Sequence, residues 1–129
     1  MAEGSIGAAQ RWIEEAETGL RSGALNSSVL SSYLAMFHSA RAMLFRDGYR
    51  ERSHYCVARY LEERYVKRGL LEARWVELLD HHRETRHASQ YDVSFHVPET
   101  EATASLETAK RFVERMTALY EATHGRLSR

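Results

Sequence analysis

The sequence is poor in proline, cysteine, lysine and long apolar runs, and it has no excess charge of either sign. Only one proline occurs in 129 residues. It is Pro98, placed where it can open an element but interrupts none, so the rest of the chain is free of the residue that most strongly breaks a helix. Cys56 is the single cysteine, which excludes an internal disulfide and fits a reducing compartment. It lies in the run Tyr55-Cys56-Val57-Ala58, where a small buried hydrophobe is expected rather than a nucleophile. A bilayer-spanning helix needs about 20 consecutive apolar residues, and no segment approaches that. The opening Met1-Ala2-Glu3-Gly4-Ser5 lacks the basic start and apolar centre of a signal peptide. The expectation is a soluble cytoplasmic chain without membrane contact. Eighteen basic side chains face 18 acidic ones, and this balance excludes a protein that grips nucleic acid by bulk charge, since such affinity comes from many unopposed cations meeting phosphates.

What is present points to helices. With 43% apolar residues, the chain can bury a continuous core and is too short for two ordinary domains, so residues 1–129 are read as one helical domain. In the first helix, Ala9, Trp12, Ile13, Ala16 and Leu20 recur at spacings of three and four and share a face. Asn26-Ser27-Ser28 offers polar caps for a second helix over 26–46, whose broad apolar surface suits the central member of a bundle. It stops at Asp47-Gly48. Ser53 is the expected cap of a third helix burying Cys56, Val57, Tyr60, Leu61, Tyr65 and Val66, with Gly69 at its end. A fourth helix over 72–88 buries Trp75, Val76, Leu78 and Leu79 and then turns polar. Residues 89–97 read as a loop, because no second strand exists to pair with their alternation. Pro98, Glu99 and Glu101 open a fifth helix, which carries a core stripe from Ala102 to Tyr120 and is expected to close at Gly125.

The run from Ser32 through Tyr33, Phe37, His38 and Arg41 to Leu44 resembles the second-helix motif of HEPN domains. Other pieces follow in that family's order: Trp12, Ser53-His54, Lys67-Arg68-Gly69, Arg86 with Tyr91-Asp92, and Ala109-Lys110-Arg111-Phe112-Val113. The resemblance covers residues 8–119. It implies an all-α, up-and-down four-helix bundle with one additional shorter helix, commonly a homodimer. It also implies action beside a minimal nucleotidyltransferase, in many cases as a toxin and antitoxin. Several branches of the family are metal-independent ribonucleases whose site is an Arg followed after four to six residues by a His. This sequence departs from that pattern: three residues separate Arg83 from His87, and at the spacing expected from Arg86 stands Tyr91.

Metal-free RNA cleavage needs groups that take and return protons near neutrality, which His supplies, and a fixed cation over the phosphorane, which Arg supplies. Arg83 and His87, four apart on a helix, share a face, and Arg86 lies one step round. These three are the candidate catalytic residues of a ribonuclease. In the competing reading, His38, Arg41, Arg86, Tyr91 and Asp92 bind a nucleotide or dock a nucleotidyltransferase, with Tyr91 in the region where related proteins carry a tyrosine that the partner modifies with AMP. A third reading is structural: Arg86 pairs with Asp92 inside the bundle, while His38 and Arg41 find partners on the fourth helix or on glutamates of the first.

Seven histidines are many for this length, yet no two stand four apart as ligands on one helix face, so no metal is expected. With no glycine-rich phosphate loop either, no cofactor is implied. Tyr49, Tyr55, Tyr60 and Tyr65 alternate with Arg50, Arg52, Arg59, Arg64 and Arg68, a pattern that could stack bases and hold phosphates. Helical spacing instead favours tyrosines packed inward or on an oligomer surface, and Glu62 and Glu63 would repel a phosphate backbone. Sixteen of the 18 basic residues are arginines, and residues 41–86 hold eleven basic and eight acidic groups. A compact anion-facing site in that middle region is compatible with overall neutrality.

Overall fold

A computed structural model describes residues 2–91 and 96–127, with side chains described for 2–85 and 96–123. Five helices follow in order: α1 (Ala2–Ser22), α2 (Leu25–Arg46), α3 (His54–Leu61), α4 (Ala73–Tyr91) and α5 (Glu99–Leu127), with one π-helical turn, Glu62–Val66, continuing α3. No strand occurs among the described residues. The sequence expectation of an all-α bundle with one shorter helix is met.

Small residues set the first packing. The inward face of α1 is Ser5, Ala9, Ile13, Ala16 and Gly19, which lets α2 approach closely. A side-chain carbon on Gly19 would stand 3.2 Å from the Ala24 carbonyl and 3.3 Å from Ser28. Across this contact the Ser28 hydroxyl donates to the Ala16 carbonyl at 2.8 Å. The expected caps at Asn26 to Ser28 are not used: α2 begins at Leu25, after Ala24, with no side-chain cap. Here the tight turn from α1, closed by Ala24 N–H to the Gly19 carbonyl at 2.8 Å, fixes the start, and Ser28 is spent on α1.

Helix α2 is buried on most sides and packs against all four other helices. Tyr33, Met36, Met43, Leu61, Leu79, Phe112 and Met116 form the fully buried centre. After α2, Gly48 takes φ +88°, which a side chain would resist. The chain then runs back along α2: Glu51 meets Arg41 and His54 meets Tyr33. Consequently α3 descends parallel to α2, while α4 returns antiparallel to α3, its Asp80 meeting Arg59 and its later Arg83 meeting the earlier Tyr55. Ser53 caps α3 as expected, its hydroxyl accepting from the Cys56 N–H. Cys56 itself is only half-buried, not core; Ala58 takes the inward position instead.

Two helix ends differ from expectation. Helix α4 runs on to Tyr91, so Tyr91 ends a helix rather than lying in a loop. Helix α5 passes through Gly125 to Leu127; glycine inside a helix costs about 1 kcal/mol, which is not enough to end one by itself. Pro98 opens α5 as expected, its carbonyl accepting from Glu101 and Ala102 N–H.

Candidate functional site

The polar residues of the middle region fall into three groups. The first lies between α3 and α4. Asp80 accepts from Arg59 at 2.5 Å and pairs with Arg83 at 3.5 Å, and both guanidinium groups lie over the Tyr55 ring at 5.0 and 5.1 Å. One carboxylate thus serves two cations, leaving the group with a net positive charge. Neighbouring His82 is buried and donates its Nδ1–H to the Leu78 carbonyl at 2.9 Å. Burial, with the adjacent His81 adding to it, holds its pKa below the usual value. Its ring is held in the core by a bond within its own helix.

The second group lies on the half-exposed stripe of α2. Arg41 pairs with Glu51 at 2.8 Å and lies over Phe45 at 4.4 Å. The expectation that Arg41 would meet α4 or a glutamate of α1 is therefore corrected: its partner comes from the segment that folds back between α2 and α3. His38 packs edge-on against Phe37. Burial and the charge of Arg41 keep its pKa low. His54, expected only near a helix cap, stacks flat on Phe37 at 3.8 Å and hydrogen-bonds Tyr33 at 2.8 Å. That contact pins the returning segment to α2. Among the described residues no hydrogen bond or ion pair joins Arg83 to His38 or Arg41, so the structure leaves those candidates in two separate groups.

The third group was not singled out as a unit by the sequence. At the far end of α2, Asp47 Oδ2 accepts from the hydroxyls of both Tyr60 and Tyr65, the latter at 2.6 Å. Arg46 donates to the Tyr120 carbonyl at 2.6 Å, to Thr123 at 2.7 Å and to Tyr65 at 3.1 Å. The two charges are 3.6 Å apart. Burial, reinforced by the bond to Asp47, pushes the Tyr65 hydroxyl up to about 12 and the Tyr60 hydroxyl upward as well. Both stay protonated donors in any ordinary buffer. Tyr60 and Tyr65 thus pack inward as the spacing suggested, whereas Tyr49 and Tyr55 remain exposed. The missed signal was the π-helical turn, whose Lys67 N–H reaches back five residues to the Glu62 carbonyl. Such turns are frequent at functional sites.

Of the remaining candidates, the side chains of Arg86, His87 and Tyr91 and the whole of Asp92 lie outside the described residues. Their helix is described: positions 83, 87 and 91 fall at successive four-residue steps along α4. Among the described residues no three His, Cys, Asp or Glu side chains converge to hold a metal ion, and no helix is long and apolar enough to cross a membrane.

Comparison with known proteins agrees with the helical plan. The chain is similar to the UPF0332 protein PH1297 of Pyrococcus horikoshii, at 29% identity over 75 residues, which is 58% of this chain and 53% of that protein. The match therefore spans about half the length of that relative. The family model for the HEPN domain matches residues 2–119. That match takes in α1 to α4 and most of α5, and on it the chain belongs to the HEPN domain family.

Proposed function

We propose that this chain is a non-catalytic binding module that acts with a small nucleotidyltransferase, as one half of a toxin and antitoxin pair. In this reading Arg86 and Tyr91 of α4, with Asp92 next in the chain, are the nucleotide-binding and partner-binding residues, and His38 and Arg41 of α2 are assigned to the same role. A homodimer presents two copies of that set. The observation that carries the reading is the engagement of Arg83. A ribonuclease built on Arg83 and His87 needs a guanidinium free to meet a phosphate, yet Arg83 shares Asp80 with Arg59 and lies over Tyr55. The nearest described histidine, His82, is spent on a carbonyl of its own helix.

Two measurements test this. Purified protein incubated with a broad RNA panel in chelator is expected to leave every RNA intact. Metal-independent cleavage that vanishes in His87→Ala would establish the ribonuclease reading in its place. Second, the protein is titrated with the nucleotidyltransferase encoded beside it. A stable complex is expected, weakened by Arg86→Gln. No complex, or no such neighbour, sinks the partner assignment.

A further inference from the structure

Where α2 ends, the third polar group borders a cleft of about 340 Å³, within the size range of small-molecule sites. Its lining includes Arg46, Asp47, Tyr49, Arg64, Arg68 and Leu70. Arg46 is consumed: its guanidinium is almost fully buried and already bonded to Tyr120, Thr123 and Tyr65. Asp47 is held by Arg46 and two tyrosine hydroxyls, so its charge is spent within the wall. The other two cations of the lining are not spent. Arg64 donates only to the neutral Tyr49 hydroxyl, at 2.8 Å, and lies over the Tyr49 and Tyr60 rings. No carboxylate pairs with Arg68 among the described residues, and it is exposed. Nearby Glu63 is taken by Lys67.

Two guanidinium groups without a carboxylate, beside an aromatic ring that is 47% exposed, make a complementary surface for one chemical class. Arginine's planar fork matches a phosphate in two parallel hydrogen bonds, and a tyrosine ring next to it offers a stacking face. We propose that this cleft binds a small phosphate monoester with a planar body, the phosphate between Arg64 and Arg68 and the ring against Tyr49 and Leu70. The site is separate from the one discussed above. Leu70 precedes α4, and the 19 residues of α4 rise by about 28 Å before Tyr91. The proposal therefore does not depend on the partner assignment.

The test is calorimetric titration of the full chain at low salt with four probes: inorganic phosphate, phenyl phosphate, AMP and adenosine. Phenyl phosphate and AMP are expected to bind and to raise the melting temperature by mass action, inorganic phosphate to bind about tenfold more weakly, and adenosine not to bind. Tighter binding of AMP than of phenyl phosphate identifies a nucleotide as the source of the planar body; equal binding identifies any aromatic phosphate. Arg64→Gln and Arg68→Gln are each expected to weaken binding about tenfold or more. Arg68 is exposed and bonded to nothing described, so its replacement leaves folding intact. Arg74→Gln, which removes the same charge from the α4 surface, is expected to change nothing. The proposal is overturned if none of the probes binds, if inorganic phosphate binds as tightly as AMP and phenyl phosphate, or if Arg74→Gln weakens binding as much as Arg68→Gln.

Discussion

Replacing Asp47 by alanine tests the buried network on which the cleft is built. A carboxylate at the C-terminus of α2 faces the negative end of the helix dipole, so its presence there depends on compensation. That comes from Arg46 at 3.6 Å and from two tyrosine hydroxyls. Removing one partner of a buried pair costs about 3–5 kcal/mol, because the other charge and its donors are stranded. The lower end applies here for two reasons. Arg46 keeps three other acceptors, and Tyr60 is only half-buried, so water can replace its lost bond. About 3 kcal/mol is expected. A chain of 129 residues has an unfolding entropy of about 0.27 kcal/mol/K, so the melting temperature should fall by about 11 °C. Asp47→Asn keeps an acceptor for the hydroxyls and loses only the charge, and should fall by about half as much. Thermal denaturation followed by circular dichroism reads both, and a double-mutant cycle of Asp47→Ala with Tyr65→Phe should show coupling of about 1 kcal/mol or more. If Asp47→Ala melts within about 3 °C of the wild type, or if Asp47→Asn is as damaging as Asp47→Ala, the network does not carry the stability assigned to it.

Two further predictions concern the core. Burial lowers the pKa of His82 and of His38 below the usual 6.5, so below pH 6.5 the unfolded chain takes up protons that the folded chain refuses. Stability from these residues is therefore complete above pH 6.5 and declines as the pH falls below it. Melting temperatures from pH 7.5 down to 5.5 should drop, and His82→Leu should make the drop shallower; an unchanged slope would show that His82 does not contribute. Ser28→Ala removes the hydroxyl that bridges α2 to α1, at a cost of about 1 kcal/mol or about 4 °C, since the Ala16 carbonyl keeps its helical partner. A loss above about 8 °C would mean that the α1 and α2 contact itself has shifted.

The periodicity made most of the fold legible. Spacings of three and four picked out the inward faces of α1 and α5, and the breadth of the apolar face of α2 gave its central position. The loop-forming pairs at Asp47-Gly48 and before Gly69 were also readable, because glycine there meets a backbone need that other residues resist. The capping assignment at Asn26 to Ser28 failed for an instructive reason. A serine near a helix start reads as a cap, but Ser28 is turned toward Ala16 by the close approach that Gly19 permits. Likewise Gly125 reads as a stop, yet nothing local compels α5 to end there.

The site residues were harder to read. Arg83 was found through its helical spacing to His87, but its pairing with Asp80 and its sharing with Arg59 depend on how α3 lies against α4. Arg41 was expected to find a partner on a helix, and found it on the returning segment. The alternating tyrosines and arginines looked like one pattern, and the structure divides them. Tyr60 and Tyr65 close over Asp47, while Tyr49 and Arg64 face outward.

The sequence alone determined the all-α class, the helix order and the central place of α2, because these follow from backbone propensity and from which face of each helix is apolar. Both are local properties of the chain. The tertiary structure decided which charges are spent and which remain available. Arg46, Arg59, Arg64, Arg68 and Arg83 are equal as letters, and whether each has a carboxylate within reach is set by contacts between segments distant in sequence. Coulomb and hydrogen-bond energies depend on separations of a few ångströms, and those separations are fixed only when the helices pack.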